Sequence, residues 1–369
     1  MTNLSLEPIV GFDDKIGPLL RQKRFVERRA AEILEGYGYE EFDPPIVERA
    51  ETYGAIVGID PTPWTEGVDP IETPWDKTLG REFFPLTIRN FAGETNINST
   101  SALLLPEGTA SYARYVAKCL SSGSEPYRKV YYIIKCFRNE DVRKLSDVKR
   151  RAFGQIGVEN LSNFTPQLEG SVYSIPGVIL DNLGIPTAYV KTRVNDVRIF
   201  RNLCKESELD TRQSVKMKIL LDGYARYMLE GKGKDKKDET MAEMRGICPE
   251  KYSFWSDFFD GCLDASSQYY KELAESTGVL DVMANISPQY NPKFDPFMIR
   301  GWEYYTGPII QIDVMGPGRG FIEIAGGGRY DKMVNSFLSK CGIKSEAPAT
   351  GFAFGTERLV EAVATYSML

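Results

Sequence analysis

The sequence predicts an α+β protein in which antiparallel strands are interrupted by an inserted helical segment. Two strand-like stretches joined by a charged loop occupy residues 129–160, helical patterns dominate 196–288, and strand patterns return from residue 289. At 369 residues the chain is longer than a usual single domain. We therefore expect either one large domain with an insertion or two domains.

The first elements follow from apolar spacing and from prolines. Apolar residues recur at helical spacing from Lys15 to Gly36 and predict an amphipathic helix. In "FDPPIVERAE" (42–51), Pro44 and Pro45 favour an edge strand or an element that faces another subunit, with a proline-rich connection as the alternative. The stretch "SALLLPEGTASYARYVAKCL" (101–120) then predicts a loop followed by a helix.

A long antiparallel hairpin follows. The stretch "KVYYIIKCFRNE" (129–140) has a period of two, which places Cys136 and Arg138 on one face of a strand. A basic loop, "DVRKLSDVKRR", leads to "AFGQIGVEN" (152–160), in which Gln155 and Glu159 share one face. We expect these two strands to pair, with polar groups directed inward from one side.

The chain is predicted to divide into three segments. Residues 1–195 form the first part of a core, 196–288 a helical insertion, and 289–369 the second part of the core. The alternative is that 196–288 is only the helical layer of one domain. The last segment contains "IIQIDV", "GFIEIAGGGRYD" and "ATGFAFGTERLVEAVATY", which predict two strands, then a glycine-rich strand that runs into a closing helix.

Composition excludes several kinds of chemistry. The chain has no histidine, which rules out Ser–His and Cys–His nucleophiles and histidine-ligated metals, so catalysis would depend on carboxylates, arginines and backbone groups. The formal charge of -6 argues against non-specific binding of polyanions by the whole molecule. The six cysteines lack a C-x-x-C pair, and no apolar run is long enough to span a bilayer, so we expect a cytoplasmic protein without a protein-held metal.

Arginines at the ends of predicted strands and helices are candidate anion ligands. Arg138, Arg300 and Arg358 each stand at such an end. A guanidinium directed into a sheet must meet an anionic partner of matching geometry. Internal ion pairs with Glu140, Glu303 or Glu357 are one possibility; three such arginines together favour a polyphosphate ligand. The sequence has no G-x-x-x-x-G-K-[ST], and "GPGRG" (316–320) is more typical of a hairpin turn.

Taken together, these stretches resemble a known family. "FDPPIVERAE", "FRNE" (137–140) and "GFAFGTERL" (351–359) are similar to the three motifs of class II aminoacyl-tRNA synthetases. "LLPEGTA" (104–110), "FGQIGVE" (153–159), "IRGWEYYTG" (299–307) and "AGGGRYD" (325–331) resemble the histidyl-tRNA synthetase group. The resemblance runs from about residue 10 to the end and implies a catalytic core without an anticodon-binding domain.

The resemblance implies one antiparallel sheet flanked by helices, a homodimer, and ATP with Mg²⁺ on its phosphates. It implies that Arg138, Arg300 and Arg358 are catalytic, and that the nucleotide is held by Arg138, Glu140, Arg151 and Arg358. It further implies that the amino acid is bound by Glu107, Thr109, Gln155, Glu159, Arg300, Tyr305 and Tyr330. The α-amino group would meet the first three of these, the carboxylate Arg300, and the side chain the remaining three.

Two functions remain open on the sequence. One is activation of histidine or a close analogue with ATP to an aminoacyl-adenylate, which passes to the tRNA acceptor end or to another acceptor. The other is a non-catalytic, histidine-sensing regulatory subunit that binds the ATP phosphoribosyltransferase catalytic subunit. "YYTG" leans towards the subunit, whereas "PEGT", "FRNE" and "RGWEYY" lean towards catalysis, which we favour. Leu105, where the family usually has arginine, and Trp302 depart from the family pattern and leave the exact substrate open.

Overall fold

The protein is described by a computed structural model covering residues 7–57, 83–91, 97–147, 149–299, 304–316, 320–344 and 346–366. Two compact units are present: Met1–Ser162 with Asp331–Leu369, and Asn163–Tyr330. All of the predicted helical insertion belongs to the second unit. The division into three segments itself stays a prediction. Within the described part of the chain, no helix is long and apolar enough to cross a membrane.

Helices and strands are interspersed in the first half of the described chain, and a run of consecutive helices follows β7. The described helices are α1 (Gly17–Gly36), α2 (Ala50–Val57), α3 (Thr109–Ser121), α4 (Pro166–Asn182), α5 (Val197–Glu206), α6 (Thr211–Leu229), α7 (Gly233–Ile247), α8 (Tyr252–Leu263), α9 (Gln268–Glu275), α10 (Val279–Ala284), α11 (Asp331–Lys340) and α12 (Thr356–Tyr366). The described strands are β1 (Glu40–Glu41), β2 (Val47–Arg49), β3 (Pro85–Phe91), β4 (Ile97–Leu104), β5 (Lys129–Phe137), β6 (Ala152–Leu161), β7 (Val190–Asp196), β8 (Lys293–Phe294), β9 (Pro308–Gly316), β10 (Gly320–Arg329) and β11 (Ala349–Gly355).

In the first unit, the predicted hairpin is the centre of the sheet. Strands β5 and β6 pair antiparallel, as predicted, and the structure sets Tyr132 opposite Gly157 and Ile134 opposite Gln155. On the far side of β6, β11 pairs antiparallel, and β1 pairs parallel with β5. A separate small sheet has the order β2–β4–β3. Helices α1 and α12 pack on each other, and α3 packs on α11.

The described part of the second unit combines strands with the seven helices α4–α10. Strand β9 pairs antiparallel with both β10 and β7, and β8 pairs parallel with β7. On α8, the buried Trp255 packs on Phe258, which in turn packs on Phe297, and the indole Nε1 of Trp255 donates to Ser207 Oγ at 3.1 Å. Helical residues therefore build their own aromatic core. The predicted α+β class, with antiparallel strands flanked by helices, is confirmed.

Two predicted boundaries shift by a few residues. The first helix begins at Gly17 rather than Lys15, because Ile16 is extended and Pro18 occupies the first turn, where its missing N–H costs nothing. The strand predicted over 129–140 ends at Phe137. Arg138 therefore lies just beyond the strand, where its backbone N–H still donates to the Arg151 carbonyl at 2.9 Å.

Candidate active site

The loop between β4 and α3 places a buried carboxylate at the start of a helix. The two oxygens of Glu107 accept the backbone N–H groups of Thr109 and Ala110, both at 2.9 Å, which satisfies donors that the first turn of α3 leaves unpaired. The Tyr53 hydroxyl donates to the Glu107 carbonyl at 2.6 Å. Burial raises the pKa of Glu107, and the two amides and nearby Arg138 oppose that shift.

Tyr132 forms the floor of this region, and sequence reasoning missed it. Its ring lies against two glycines: a Cβ at Gly108 would be 2.4 Å from the ring, and one at Gly157 only 2.1 Å. Its hydroxyl donates to Glu159 Oε1 at 3.0 Å. Burial raises the pKa of Tyr132, so the hydroxyl keeps its proton and remains a donor. The signal that could have identified Tyr132 is Gly157, the residue that lies opposite it in the paired strands.

Gln155 and Glu159 complete a polar cluster on β6. The Gly108 N–H donates to Gln155 Oε1 at 3.0 Å, which ties the loop before α3 to the hairpin. Glu159 is only 1% exposed, and a Cβ at Gly351 on β11 would lie 2.1 Å from its Oε2. Glycine at this position leaves the space that the carboxylate occupies. The predicted residues Glu107, Thr109, Gln155 and Glu159 are thus brought together.

Arg138 lies beside this cluster. Its Nε donates to the Pro106 carbonyl at 3.1 Å, and its guanidinium carbon lies 5.1 Å from the centre of the Phe153 ring. Both contacts hold the planar cation at the loop end of the hairpin, where β5 leads into the basic loop. Arg138 is half-buried there. A guanidinium carries its donors around its edge, so its flat face can cover an aromatic ring while the edge binds other groups.

Two further predicted nucleotide ligands stand at the same end of the hairpin. Arg151 Nε donates to the Glu140 carbonyl at 3.0 Å, and the Glu140 carboxylate pairs with Lys149 at 2.9 Å. An ion pair between Arg138 and Glu140 was one of the possibilities that the sequence left open. In the structure the Glu140 carboxylate pairs with Lys149, and the Arg151 side chain donates to the backbone carbonyl of Glu140.

Arg358 occupies the first turn of α12, directly after β11. Its neighbour Glu357 accepts the Gly154 N–H at 2.7 Å and pairs with Lys15 and, at 3.6 Å, with Lys23. Burial alone would raise the pKa of Glu357, but Lys23, Lys15 and the Gly154 amide outweigh it and hold that pKa below its usual value. Since Gly355 pairs with Gln155, the end of β11 lies beside the start of β6.

The remaining predicted residues belong to the second unit or lie outside the described residues. Tyr305 and Tyr330 are buried, and the Tyr304 ring lies 4.6 Å from the first and 6.3 Å from the second. Arg329, next to Tyr330, donates from Nη2 to Glu169 at 2.8 Å. Arg300, Trp302 and Glu303 are not among the described residues.

The chain is similar to known proteins over most of its length. The family model described as "Histidyl-tRNA synthetase" matches residues 102–359. A similar sequence is the histidine–tRNA ligase of Aeropyrum pernix, 25% identical over 361 residues, which cover 96% of this chain and 73% of that protein. That match and the family model both include the hairpin and the loop that carries Glu107.

Solved structures show the same fold. A histidine–tRNA ligase subunit from Alicyclobacillus acidocaldarius has a TM-score of 0.64 at 19% identity, and the match covers 100% of both chains. A Bacillus halodurans protein described as an ATP phosphoribosyltransferase regulatory subunit/histidyl-tRNA synthetase has a TM-score of 0.64 at 20% identity, covering 98% of this chain and 84% of that one. With a family model that matches most of its length, the chain belongs to the histidyl-tRNA synthetase family.

Proposed function

We propose that this protein activates histidine, or a close analogue, with ATP to form an aminoacyl-adenylate, which it passes to a tRNA or to another acceptor. The observation that carries the proposal is the juxtaposition at one end of the β5–β6 hairpin. There, the buried carboxylate of Glu107 lies close to Arg138, one of the arginines that we propose to bind the phosphates. The ammonium group of the amino acid and the triphosphate of ATP would meet at that end.

The acidic cluster suits the amino acid. Each oxygen of Glu107 already accepts one backbone N–H, but a carboxylate offers about four acceptor sites, so an ammonium group can still bind. Glu159, held in place by Tyr132, offers an acceptor for a ring N–H of the side chain. In this proposal Thr109 and Gln155 line the ammonium site. Tyr305, Tyr330 and Arg300 are assigned to the substrate on the resemblance alone.

Three arginines, Arg138, Arg151 and Arg358, suit the triphosphate, and we call them the arginine edge. Arg138 would contact the α-phosphate and Arg358 the γ-phosphate, with Arg151 and Glu140 on the nucleotide side. Among the described residues, no group of three or more cysteine, aspartate or glutamate side chains is arranged to hold a metal. Mg²⁺ would therefore take most of its ligands from the phosphates and water, as it commonly does, and would neutralise their charge.

The reaction needs no histidine side chain from the protein. An oxygen of the substrate carboxylate attacks the α-phosphorus, the bond from that phosphorus to the pyrophosphate oxygen breaks, and pyrophosphate leaves with the electron pair. The amino acid supplies the nucleophile, so the protein has to position two substrates and stabilise negative charge. Arg138, already fixed by Pro106 and Phe153, performs this without reorganising.

Pyrophosphate exchange with each amino acid tests the proposal. We expect exchange that depends on histidine or a close analogue and that is lost in Arg138→Ala. Tight binding of histidine with no exchange would contradict activation and favour the regulatory-subunit function, in which case binding to an ATP phosphoribosyltransferase catalytic subunit is the next measurement. Absence of binding to any amino acid would contradict both functions.

A further inference from the structure

A short segment before α1 contacts Arg151 and the immediate neighbours of Arg138 and Arg358. We call residues 9–15 the N-terminal strap. It turns back on itself through the Phe12 N–H, which donates to the Ile9 carbonyl at 2.9 Å. We propose that this strap positions the arginines of the nucleotide site, with Gly11, Asp13 and Lys15 as positioning residues. The inference rests on the proposed function, since it concerns the same nucleotide.

Gly11 fixes the backbone at Arg151. Its carbonyl accepts the N–H groups of both Arg151, at 3.0 Å, and Ala152, at 3.2 Å, where the basic loop enters β6. Gly11 is buried and has a φ of 90°, a conformation that L side chains rarely adopt. A Cβ at this position would lie 2.8 Å from Arg151 Cγ. Any side chain here would strain the strap and displace Arg151.

Asp13 and Phe12 attach the strap on either side of Gly11. The Asp13 carboxylate pairs with Arg150 Nε at 2.9 Å, which anchors the residue next to Arg151. The Phe12 ring stacks on Phe137, with centroids 6.5 Å apart, and tilts against Phe84 at 5.6 Å. Phe137 is the residue before Arg138. The strap thus contacts the hairpin next to both arginines, Arg138 just after β5 and Arg151 just before β6.

Lys15 extends the strap to α12. It pairs with Glu357, whose other oxygen accepts the Gly154 N–H of β6 at 2.7 Å. Arg358 follows Glu357 directly in the chain. One segment of seven residues therefore contacts the immediate neighbours of Arg138 and Arg358 and the backbone of Arg151. A common support of this kind would keep the three guanidinium groups in register for a single triphosphate.

The test compares ATP with the amino acid. In Asp13→Asn, loss of one half-exposed ion pair predicts an increase of about threefold to fivefold in the Kd and KM for ATP. In Gly11→Ala, strain and displacement of Arg151 predict about tenfold or more. The Kd and KM for the amino acid should stay within about twofold, because the strap does not touch Glu107, Gln155 or Glu159. Kd is measured by isothermal titration calorimetry and KM by pyrophosphate exchange.

Two controls separate positioning from general damage. The exposed neighbour Asp14 gives the matched variant Asp14→Asn, which should leave ATP binding unchanged. The swapped pair Asp13→Arg with Arg150→Asp should recover at least half of the lost affinity. Hydrogen exchange at the amides of residues 151 and 152 should accelerate in Gly11→Ala, a readout that does not require activity.

The outcomes distinguish the two proposals. If the wild-type protein binds ATP but shows no exchange, activation is wrong, and the strap is still judged by the Kd for ATP. If the wild type is active and the strap variants bind ATP normally, or weaken ATP and amino acid equally, the strap proposal is overturned. If the wild type binds no ATP, both are overturned.

Discussion

In the second unit Arg193 of β7 lies between two carboxylates, whereas in the first unit Arg138 follows β5 and contacts a carbonyl and an aromatic ring. Arg193 Nε donates to Asp313 at 2.9 Å and its Nη1 to Asp295 at 2.7 Å. Gln311 adds a donor to Asp313 at 2.8 Å. Burial acts against the charge of Arg193, but the two aspartates outweigh it and raise its pKa further.

The difference shows why position along a strand matters. Arg193 lies within β7, is 6% exposed, and meets carboxylates supplied by β9 and the segment after β8. Arg138 lies one residue beyond β5 and is half-buried. A guanidinium inside a sheet requires permanent anionic partners, while one at a strand end can receive a transient ligand. We therefore assign Arg193 to stability, while the proposed function gives Arg138 a part in the reaction.

The largest expected effect is on stability in the second unit. Arg193→Ala leaves Asp313 buried without its cation, and we expect a loss of about 3 to 5 kcal/mol in the free energy of unfolding. Urea denaturation followed by circular dichroism measures it. The exposed Arg128, paired with Glu125, provides the control: Arg128→Ala should unfold like the wild type. An Arg193→Ala protein as stable as the wild type would mean that the comparison is wrong.

Arg138→Ala should affect the reaction instead. Removing one donor that acts on developing charge is expected to lower the exchange rate about 10² to 10³-fold. Since Arg138 is at a strand end, the urea midpoint should change little. Arg138→Lys keeps the charge but loses the flat contact with Phe153, and we expect only partial recovery. Equal loss of rate and of stability in Arg138→Ala would remove the distinction from Arg193.

Gly157→Ala tests the floor of the site. The added Cβ would overlap the Tyr132 ring, and overpacking of this kind costs about 1 to 3 kcal/mol. Because Tyr132 holds Glu159, we expect the KM for the amino acid to rise while the Kd for ATP stays unchanged. Gly223→Ala on α6 is the control, because beyond the adjacent turns of that helix no atom lies within 4 Å of the added Cβ. Unchanged amino-acid affinity in Gly157→Ala would show that Tyr132 does not position the carboxylate.

The smallest effect is a pH dependence at Glu357. Its pKa is lower in the folded protein than the usual 4.5, so its ion pairs contribute stability above about pH 4.5, and that contribution is lost as pH falls through the folded value. In Glu357→Gln, the deficit in unfolding free energy relative to wild type should shrink on acidification below that point. Glu51→Gln, at an exposed position on α2, should show no such trend. A deficit that is constant with pH would contradict the lysine pairing.

The hairpin illustrates how far the sequence could predict the site. A period of two fixes which residues share a face, so Gln155 and Glu159 were identified, and their pairing with β5 followed from the loop between the strands. Tyr132 was assigned to an apolar row, because its role depends on Gly108 from another part of the chain. The sequence could not decide either whether arginines pair with Glu140 and Glu357, because spacing does not show which cation folding brings to a carboxylate. In the structure Lys149 pairs with Glu140, and Lys15 and Lys23 pair with Glu357.

The sequence by itself determined the α+β class, the antiparallel hairpin and the family, because periodicity and ordered motifs are local properties of the chain. Only the tertiary structure decided which partner meets each charge: Lys15 and Lys23 pair with Glu357, two aspartates pair with Arg193, and the Tyr132 hydroxyl donates to Glu159. A buried charge is stabilised by whichever partner folding brings within a few ångströms, and such partners here come from segments up to 342 residues apart.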